Sequence, residues 1–157
     1  MQSKRFKAFL DFVLACEGAY SNNPNDLGGE TNFGITSRTY SDFRKSKGLS
    51  LRSVKEISMD EIEEIYYKKY YLASGTDKID DFRLALIHFD TAVNMGVARA
   101  NNFLTLSHSN IDEYLHLRKE KYIEFARVPS QKIFLKGWLN RIARLESYIK
   151  TFSKGEI

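Results

Sequence analysis

Hydrophobic side chains recur at helical spacing in the first segment of the chain. Intervals of three and four residues place five of them on one face: Phe6, Phe9, Leu10, Val13 and Leu14. This periodicity predicts an amphipathic helix. At about 100° per residue, Glu17 falls within the arc of the same apolar stripe. We therefore expect a helix that ends near a partly desolvated carboxyl.

The pattern changes between residues 21 and 36. Residues 21–34 read SNNPNDLGGETNFG and are rich in Asn, Asp, Gly and Pro, which favour turns and hydrogen bonds from side chain to backbone. Between Thr31 and Thr36 the side chains alternate as in a short strand or hairpin. The sequence therefore predicts a small irregular or β-hairpin lobe at residues 21–36.

Helical periodicity returns after this lobe. Ser58 and Glu61 have the spacing of a capping box and predict a helix that continues to about Leu72. After a break at residues 75–78, apolar residues again share one face until Gly96.

The last third of the chain predicts three more helices. The first runs from about Val97 to Leu106, Asn110 caps the second, and Ser130 caps the last. In the last helix the apolar residues recur at helical intervals: Phe134, Trp138, Ile142, Leu145 and Ile149. The whole pattern predicts an all-α fold with one small irregular or β-hairpin lobe.

Composition favours a single domain. The 157 residues are 43% hydrophobic and 28% charged, which suffices to fill one core and argues against disorder. No internal repeat or linker interrupts the chain. We expect one domain over residues 1–157.

The net charge of +4 favours contact with a polyanion, such as nucleic acid, an anionic lipid surface or a bacterial wall polymer. In the last third, however, acidic residues such as Glu120, Glu124 and Glu146 interrupt the basic ones. This interleaving indicates solvated helix faces rather than a continuous track for phosphates. Nucleic acid is therefore the less favoured partner.

The chain has no apolar stretch of about 18 residues, so we expect no membrane span. Asp11 and Phe12 interrupt the apolar centre of the N-terminal segment, and no small-x-small cleavage site follows it. This segment is interpreted as a mature helix rather than a secretory signal. Cys16 is the only cysteine, so an intramolecular disulfide is impossible.

Motifs for metals and cofactors are missing from the sequence. His88, His108 and His116 lack the spacing of a zinc site. A calcium loop starting at Asn23 would place Leu27 and Gly34 at ligand positions. We expect no metal and no cofactor.

Acidic residues follow the first helix closely. Asp26 and Glu30 lie within fifteen residues of Glu17. Glycoside hydrolysis needs one protonated carboxyl to donate to the leaving oxygen and one ionised carboxyl to assist water or stabilise the developing cation. Glu17 at the end of an apolar stripe and Asp26 in a polar loop fit this division. The alternatives are a hydrogen-bonded helix-end carboxylate for Glu17 and a turn residue for Asp26.

The segment from Glu17 to Thr36, EGAYSNNPNDLGGETNFGIT, resembles the leading motif of glycoside hydrolase family 108, N-acetylmuramidases of the phage-lysis and secretion-activator type. Residues 89–96, FDTAVNMG, and 134–141, FLKGWLNR, are similar to two later blocks of that family. The resemblance implies a lysozyme-like α fold that hydrolyses the β-1,4 bond between N-acetylmuramic acid and N-acetylglucosamine. It also implies a catalytic portion at about residues 1–75 and a peptidoglycan-binding-like helical portion at about 76–157.

Glu17 matches the catalytic glutamate of the family, although Ala19 replaces the second glycine of the usual Glu-Gly-Gly-Tyr. Asp26 is assigned as the second carboxyl, with Glu30 as its competitor. Five residues are candidate contacts to the sugar, and each is alternatively a structural anchor: Tyr20, Glu30, Thr31, Asn32 and Asn94. Trp138 is expected in the core, and Arg141 in a surface or interhelix ion pair.

These inferences leave alternatives open. The favoured hypothesis is a monomeric muramidase that is made in the cytoplasm without a signal peptide and reaches the cell wall through a holin or another export system. The alternative is a non-catalytic peptidoglycan-binding or secretion-accessory protein with the same fold.

Overall fold

The computed structural model describes residues 3–24 and 29–152. Within these ranges the chain forms seven α-helices and one two-stranded sheet, which confirms the predicted all-α fold with a small hairpin. The helices are α1 Lys4–Glu17, α2 Ser37–Ser46, α3 Met59–Tyr66, α4 Phe82–Met95, α5 Val97–Leu106, α6 Ile111–Phe125 and α7 Leu135–Ile149. The strands are β1 Thr31–Asn32 and β2 Ile35–Thr36. Contacts divide the chain into two compact units, Met1–Lys68 and Lys69–Ile157.

Helix α1 begins and ends at well-defined caps. The Ser3 hydroxyl accepts a hydrogen bond from the Phe6 amide at 3.2 Å, which satisfies one of the free donors of the first turn. Four of the five residues of the predicted stripe are buried, with Phe6 and Val13 both 0% exposed, whereas Leu14 is half-buried. After Glu17, Gly18 leaves the helix at a φ of 70°, a value that glycine adopts without steric cost.

The hairpin follows the loop as predicted. Strands β1 and β2 pair antiparallel, with Thr31 opposite Thr36 and Asn32 opposite Ile35. Ser21 and Thr31 exchange backbone hydrogen bonds of 2.9 and 2.8 Å, so the intervening loop is closed at its base. Thr36 also caps α2, because its hydroxyl accepts from the Thr39 amide at 3.1 Å. The hairpin therefore connects directly to a helix.

A capping box starts α3, as predicted. The Ser58 hydroxyl accepts from the Glu61 amide at 3.2 Å, and a Glu61 carboxylate oxygen accepts from the Ser58 amide at 3.0 Å. The α-helix ends at Tyr66, and a π-helical segment, Tyr67–Leu72, completes the predicted length. The predicted break contains a short 3₁₀-helix, Thr76–Lys78.

Helix α4 forms the core of the second unit. Every residue from Leu84 to Ala92 is buried, and the helix packs against α5 and α6. A helix that is buried on all sides is typical of a domain centre. Gly96, with a φ of 95°, ends α4 and precedes α5.

Ser130 does not cap the last helix, which corrects the prediction. A 3₁₀-helix at Lys132–Phe134 precedes α7, whose cap position is Phe134 and has no side-chain hydrogen bond. Pro129 and Ser130 instead lie in the turn region after α6. Among the residues described, no helix has both the length and the apolar character that crossing a membrane requires.

Candidate functional site

Glu17 is the last residue of α1 and is half-buried. The carbonyl end of a helix carries a partial negative charge, so it is an unfavourable place for a further negative charge. The fold thus places the Glu17 carboxyl at the carbonyl end of a helix, partly shielded from solvent.

The turn of the hairpin lies directly against the Glu17 carboxyl. A Cβ atom built on Gly34 would be 2.9 Å from both Cγ and Cδ of Glu17. The same position is 2.7 Å from the hydroxyl oxygen of Tyr66. Glu17, Gly34 and Tyr66 therefore meet at one point, although they belong to α1, the hairpin and α3.

The turn itself consists of Phe33 and Gly34. Their φ angles are 50° and 76°, and two positive φ values are what a two-residue type I′ hairpin turn requires. Glycine accepts this conformation, whereas a bulky residue such as phenylalanine rarely adopts it. The Tyr66 hydroxyl donates to the Phe33 carbonyl at 2.6 Å and ties the turn to α3.

The second carboxyl remains a prediction. Asp26, the first choice, lies outside the described residues. Glu30, its competitor, is half-buried, and its carboxylate accepts a long hydrogen bond of 3.4 Å from the Ser53 hydroxyl. Its backbone carbonyl accepts from the Ser37 amide at 3.0 Å. Glu30 is therefore anchored beside the hairpin.

Besides Glu30, three of the candidate sugar contacts belong to the first unit. Tyr20 is 39% exposed, and the Lys55 ammonium lies 4.6 Å from the centre of its ring. Thr31 contributes its backbone to the loop closure and to the hairpin. The Asn32 amide is buried and donates to the Val54 carbonyl at 3.1 Å, so it fastens the hairpin to the 3₁₀-helix Val54–Glu56.

Asn94, the remaining candidate, lies near the end of α4 in the second unit. Its side-chain oxygen accepts a short hydrogen bond from the Tyr122 hydroxyl. Arg118 donates to the same hydroxyl from Nε at 3.2 Å and from Nη2 at 3.0 Å. These bonds fix the orientation of the half-buried Asn94 amide, with its oxygen directed towards Tyr122.

A buried ion cluster supports this arrangement. Asp90 on α4 is 0% exposed, and its carboxylate lies 2.7 Å from Nη2 of Arg118 and 2.8 Å from Nη2 of Arg141. Burial opposes the charge of Asp90, but Arg141 and Arg118 outweigh it and lower the pKa of this carboxyl. Arg141 was predicted in a surface or interhelix ion pair, and the structure has the interhelix one, with Asp90. Trp138 was predicted in the core but is only half-buried, because it lies at the edge of the core, where it stacks on Tyr122 with a centroid distance of 5.2 Å.

His88 makes contacts within the protein. Its Nδ1 lies 2.9 Å from the Tyr114 hydroxyl and its Nε2 lies 3.0 Å from the Ser74 carbonyl. Burial lowers the pKa of His88 and outweighs the opposing hydrogen bonds with Ser74 and Asn101. In residues 3–24 and 29–152, no three His, Cys, Asp or Glu side chains gather as a metal site would require.

Gly34 and Tyr66 were not recognised as site residues from the sequence. Tyr66 lies on the apolar face of α3 and was interpretable only as a core residue. The signal for Gly34 was present, because a glycine between two short alternating segments marks a hairpin turn. Its contact with Glu17 depends on tertiary packing that periodicity does not report.

Two comparisons with known proteins give matches. Residues 10–96, more than half of the chain, match the model of the family described as glycosyl hydrolase 108. The chain also resembles the solved structure of SagA from Brucella abortus, with 23% sequence identity and a TM-score of 0.76. That alignment covers 96% of this chain and 97% of SagA, and at this identity it shows a common fold. No curated protein sequence matches the chain significantly.

Proposed function

The chain belongs to the glycosyl hydrolase 108 family, and we propose that it is a peptidoglycan hydrolase whose general acid is Glu17. The bond we assign is the β-1,4 link between N-acetylmuramic acid and N-acetylglucosamine. The observation that carries the proposal is the position of Glu17, half-buried at the carbonyl end of α1 and in contact with the hairpin turn.

In the proposed reaction, Glu17 donates its proton to the glycosidic oxygen as the bond to the anomeric carbon breaks. The leaving sugar departs as an alcohol, and the anomeric carbon develops positive charge. Water then supplies the new hydroxyl group at that carbon, and its proton returns to a carboxylate.

Asp26 is our assignment for the second carboxyl, which assists water or stabilises the cation. The support for Asp26 is its polar loop and its sequence distance from Glu17. Glu30 is the competitor because it lies beside the hairpin. We expect Asp26→Asn to lower turnover at least about tenfold, because its carboxylate is proposed to act on water. We expect Glu30→Gln to lower turnover less, because its side chain is proposed to anchor the loop. Steady-state release of reducing ends measures both, and a larger loss in Glu30→Gln would reverse the assignment.

Two of the remaining candidates are proposed to bind sugar directly. Tyr20 offers an exposed ring, and Asn94 offers an amide nitrogen whose orientation Tyr122 fixes. Thr31 and Asn32 are proposed to act mainly by holding the hairpin in place, because their groups bond within the first unit.

Peptidoglycan lies outside the cytoplasm, so this function requires delivery. We propose that a holin or another export system carries the protein to the cell wall and that it acts there as a monomer. The non-catalytic alternative, a wall-binding or secretion-accessory protein, predicts binding to insoluble peptidoglycan without release of reducing ends.

The proposed acid is tested with Glu17→Gln, which preserves shape but removes the transferable proton. Clearance of a peptidoglycan suspension should fall at least about a hundredfold, because general acid catalysis contributes that much. Glu120→Gln on the exposed side of α6 makes the same chemical change elsewhere and should clear at the wild-type rate. Undiminished clearance by Glu17→Gln would refute the assignment.

A further inference from the structure

We infer that Tyr66 and Gly34 are positioning residues that set the place of the Glu17 carboxyl, an inference that rests on the proposed role of Glu17. Gly34 provides the space that the carboxyl occupies. Tyr66 holds the turn that contains Gly34. Together they fix the acid at the distance from substrate at which it can donate its proton.

Packing and a hydrogen bond hold the Tyr66 side chain in place. Its side chain is 0% exposed, so packing restricts its ring, and the hydroxyl bond to the Phe33 carbonyl is short at 2.6 Å. That carbonyl belongs to a bulky residue at a φ of 50°, a conformation that has a steric cost and therefore needs support from outside the turn. The Tyr66 hydroxyl supplies that support.

Gly34 leaves room for the Glu17 carboxyl because glycine has no side chain. Real Cβ atoms essentially never approach other atoms as closely as a Cβ there would approach Glu17 and Tyr66. Tyr66 is held by burial and by its hydrogen bond, so the Glu17 carboxyl is the group that would have to move. The backbone of Gly34 therefore defines one wall of the space in which the acid lies.

The position of the Glu17 carboxyl determines whether it can donate its proton. Proton donation requires the carboxyl within hydrogen-bond reach of the glycosidic oxygen, and a displacement of about 1 Å can cost a hundredfold in rate. Displacing the acid affects the chemical step more than the binding of a long glycan. Loss of either positioning residue is therefore expected to lower kcat and to leave KM nearly unchanged.

Tyr66→Phe tests the tether by removing only the hydroxyl. We expect kcat to fall about tenfold or more and KM to change less than about twofold. Tyr40→Phe is the matched control, because Tyr40 is also 0% exposed and its hydroxyl donates to Glu61 at 2.8 Å, not to the turn. If Tyr66→Phe has the kcat of Tyr40→Phe, the tether has no catalytic role and the inference fails.

Gly34→Ala tests the space at the carboxyl. We expect kcat to fall about a hundredfold. Gly48→Ala is the matched control, because Gly48 has a similar φ of 66° but nothing lies within 4 Å of its Cβ position. An alanine at either position has similar backbone strain, and only the alanine at position 34 would contact Glu17. Equal activity of the two alanine variants would overturn the inference.

A measurement independent of activity separates this inference from the proposed function. Protein labelled with ¹³C at glutamate carboxyl groups gives a Glu17 signal that is identified by its loss in Glu17→Gln. We expect this signal to shift in Tyr66→Phe and Gly34→Ala and to stay in place in both controls. If the wild-type protein proves inactive on peptidoglycan, the proposed function fails, and the Glu17 signal alone then tests whether Tyr66 and Gly34 position this carboxyl. A signal that does not move in Tyr66→Phe and Gly34→Ala would overturn the inference.

Discussion

Asp90 illustrates how much a single residue can contribute to the second unit. Its carboxylate is fully buried and is bound by Arg118 and Arg141, which come from two other helices. Removing one member of such a cluster leaves buried charges without compensation, and this costs more than the cluster itself contributes. The cluster also orients Tyr122 and, through it, Asn94.

We expect Asp90→Asn to lower the free energy of unfolding by about 3–5 kcal/mol, because two buried guanidinium groups lose their counter-charge. Urea denaturation followed by circular dichroism measures the change. Asp80→Asn, at an exposed position, is the control and should stay within about 0.5 kcal/mol of wild type. A change at Asp90 as small as that at Asp80 would contradict this account of the cluster.

Individual residues were predictable where their role follows from helical phase. The phase of α1 places Glu17 at the end of the apolar stripe, where the structure has it. Asp90 and Arg141 are 51 positions apart, and no periodicity joins them. The position of Gly34 and Tyr66 beside Glu17 was not predictable for the same reason, because contacts between elements depend on the packed fold.

At the scale of elements, helix α3 begins with a carboxyl, Glu61, whose pKa is strongly lowered. Burial raises the pKa of Glu61, but hydrogen bonds from the Ser58 amide, Tyr40, Arg52 and Arg44 outweigh it and lower the pKa to about 2, from an ordinary value of 4.5. The folded state therefore favours the ionised carboxylate at the start of this helix. The same carboxylate connects α3 to α2 through Tyr40 and Arg44.

Because the folded pKa of Glu61 is depressed, its stabilising contribution is fully present above about pH 4.5 and is lost as the pH falls towards 2. We expect Glu61→Gln to be about 1–2 kcal/mol less stable than wild type at neutral pH. Chemical denaturation at neutral pH and at about pH 3 should show this difference shrinking, because below about pH 4.5 the unfolded wild-type chain takes up a proton at Glu61 while the folded state, with a pKa of about 2, still holds the ionised form. A difference that is the same at both pH values would show that the ionised form of Glu61 is not what stabilises the helix.

The boundaries of elements were predictable where local chemistry determines them. The capping box at Ser58 and Glu61 and the break at Gly96 are local features, and both appear in the structure. The start of α7 was wrongly assigned to Ser130 because a 3₁₀-helix, Lys132–Phe134, intervenes. A serine before an apolar stripe signals a cap only when the helix begins immediately after it.

For the whole molecule, the all-α fold followed from periodicity along the chain, and the likeness to SagA extends over 96% of its length. The single domain over residues 1–157 stays a prediction, and the contacts define two compact units within it. Family membership rests on residues 10–96, which include Glu17, the hairpin and α4. Our central proposal is that Glu17, within this matched segment, is the general acid of a peptidoglycan hydrolase.

Mass spectrometry of digested peptidoglycan tests that claim most directly. Borohydride reduction marks every new reducing end, so the fragments reveal which sugar lost its glycosidic partner. We expect wild type to produce new ends at N-acetylmuramic acid, and Glu17→Gln to produce at least about a hundredfold fewer. New ends at N-acetylglucosamine, or the absence of new ends with wild type, would contradict the assignment of this protein as a muramidase with Glu17 as its acid.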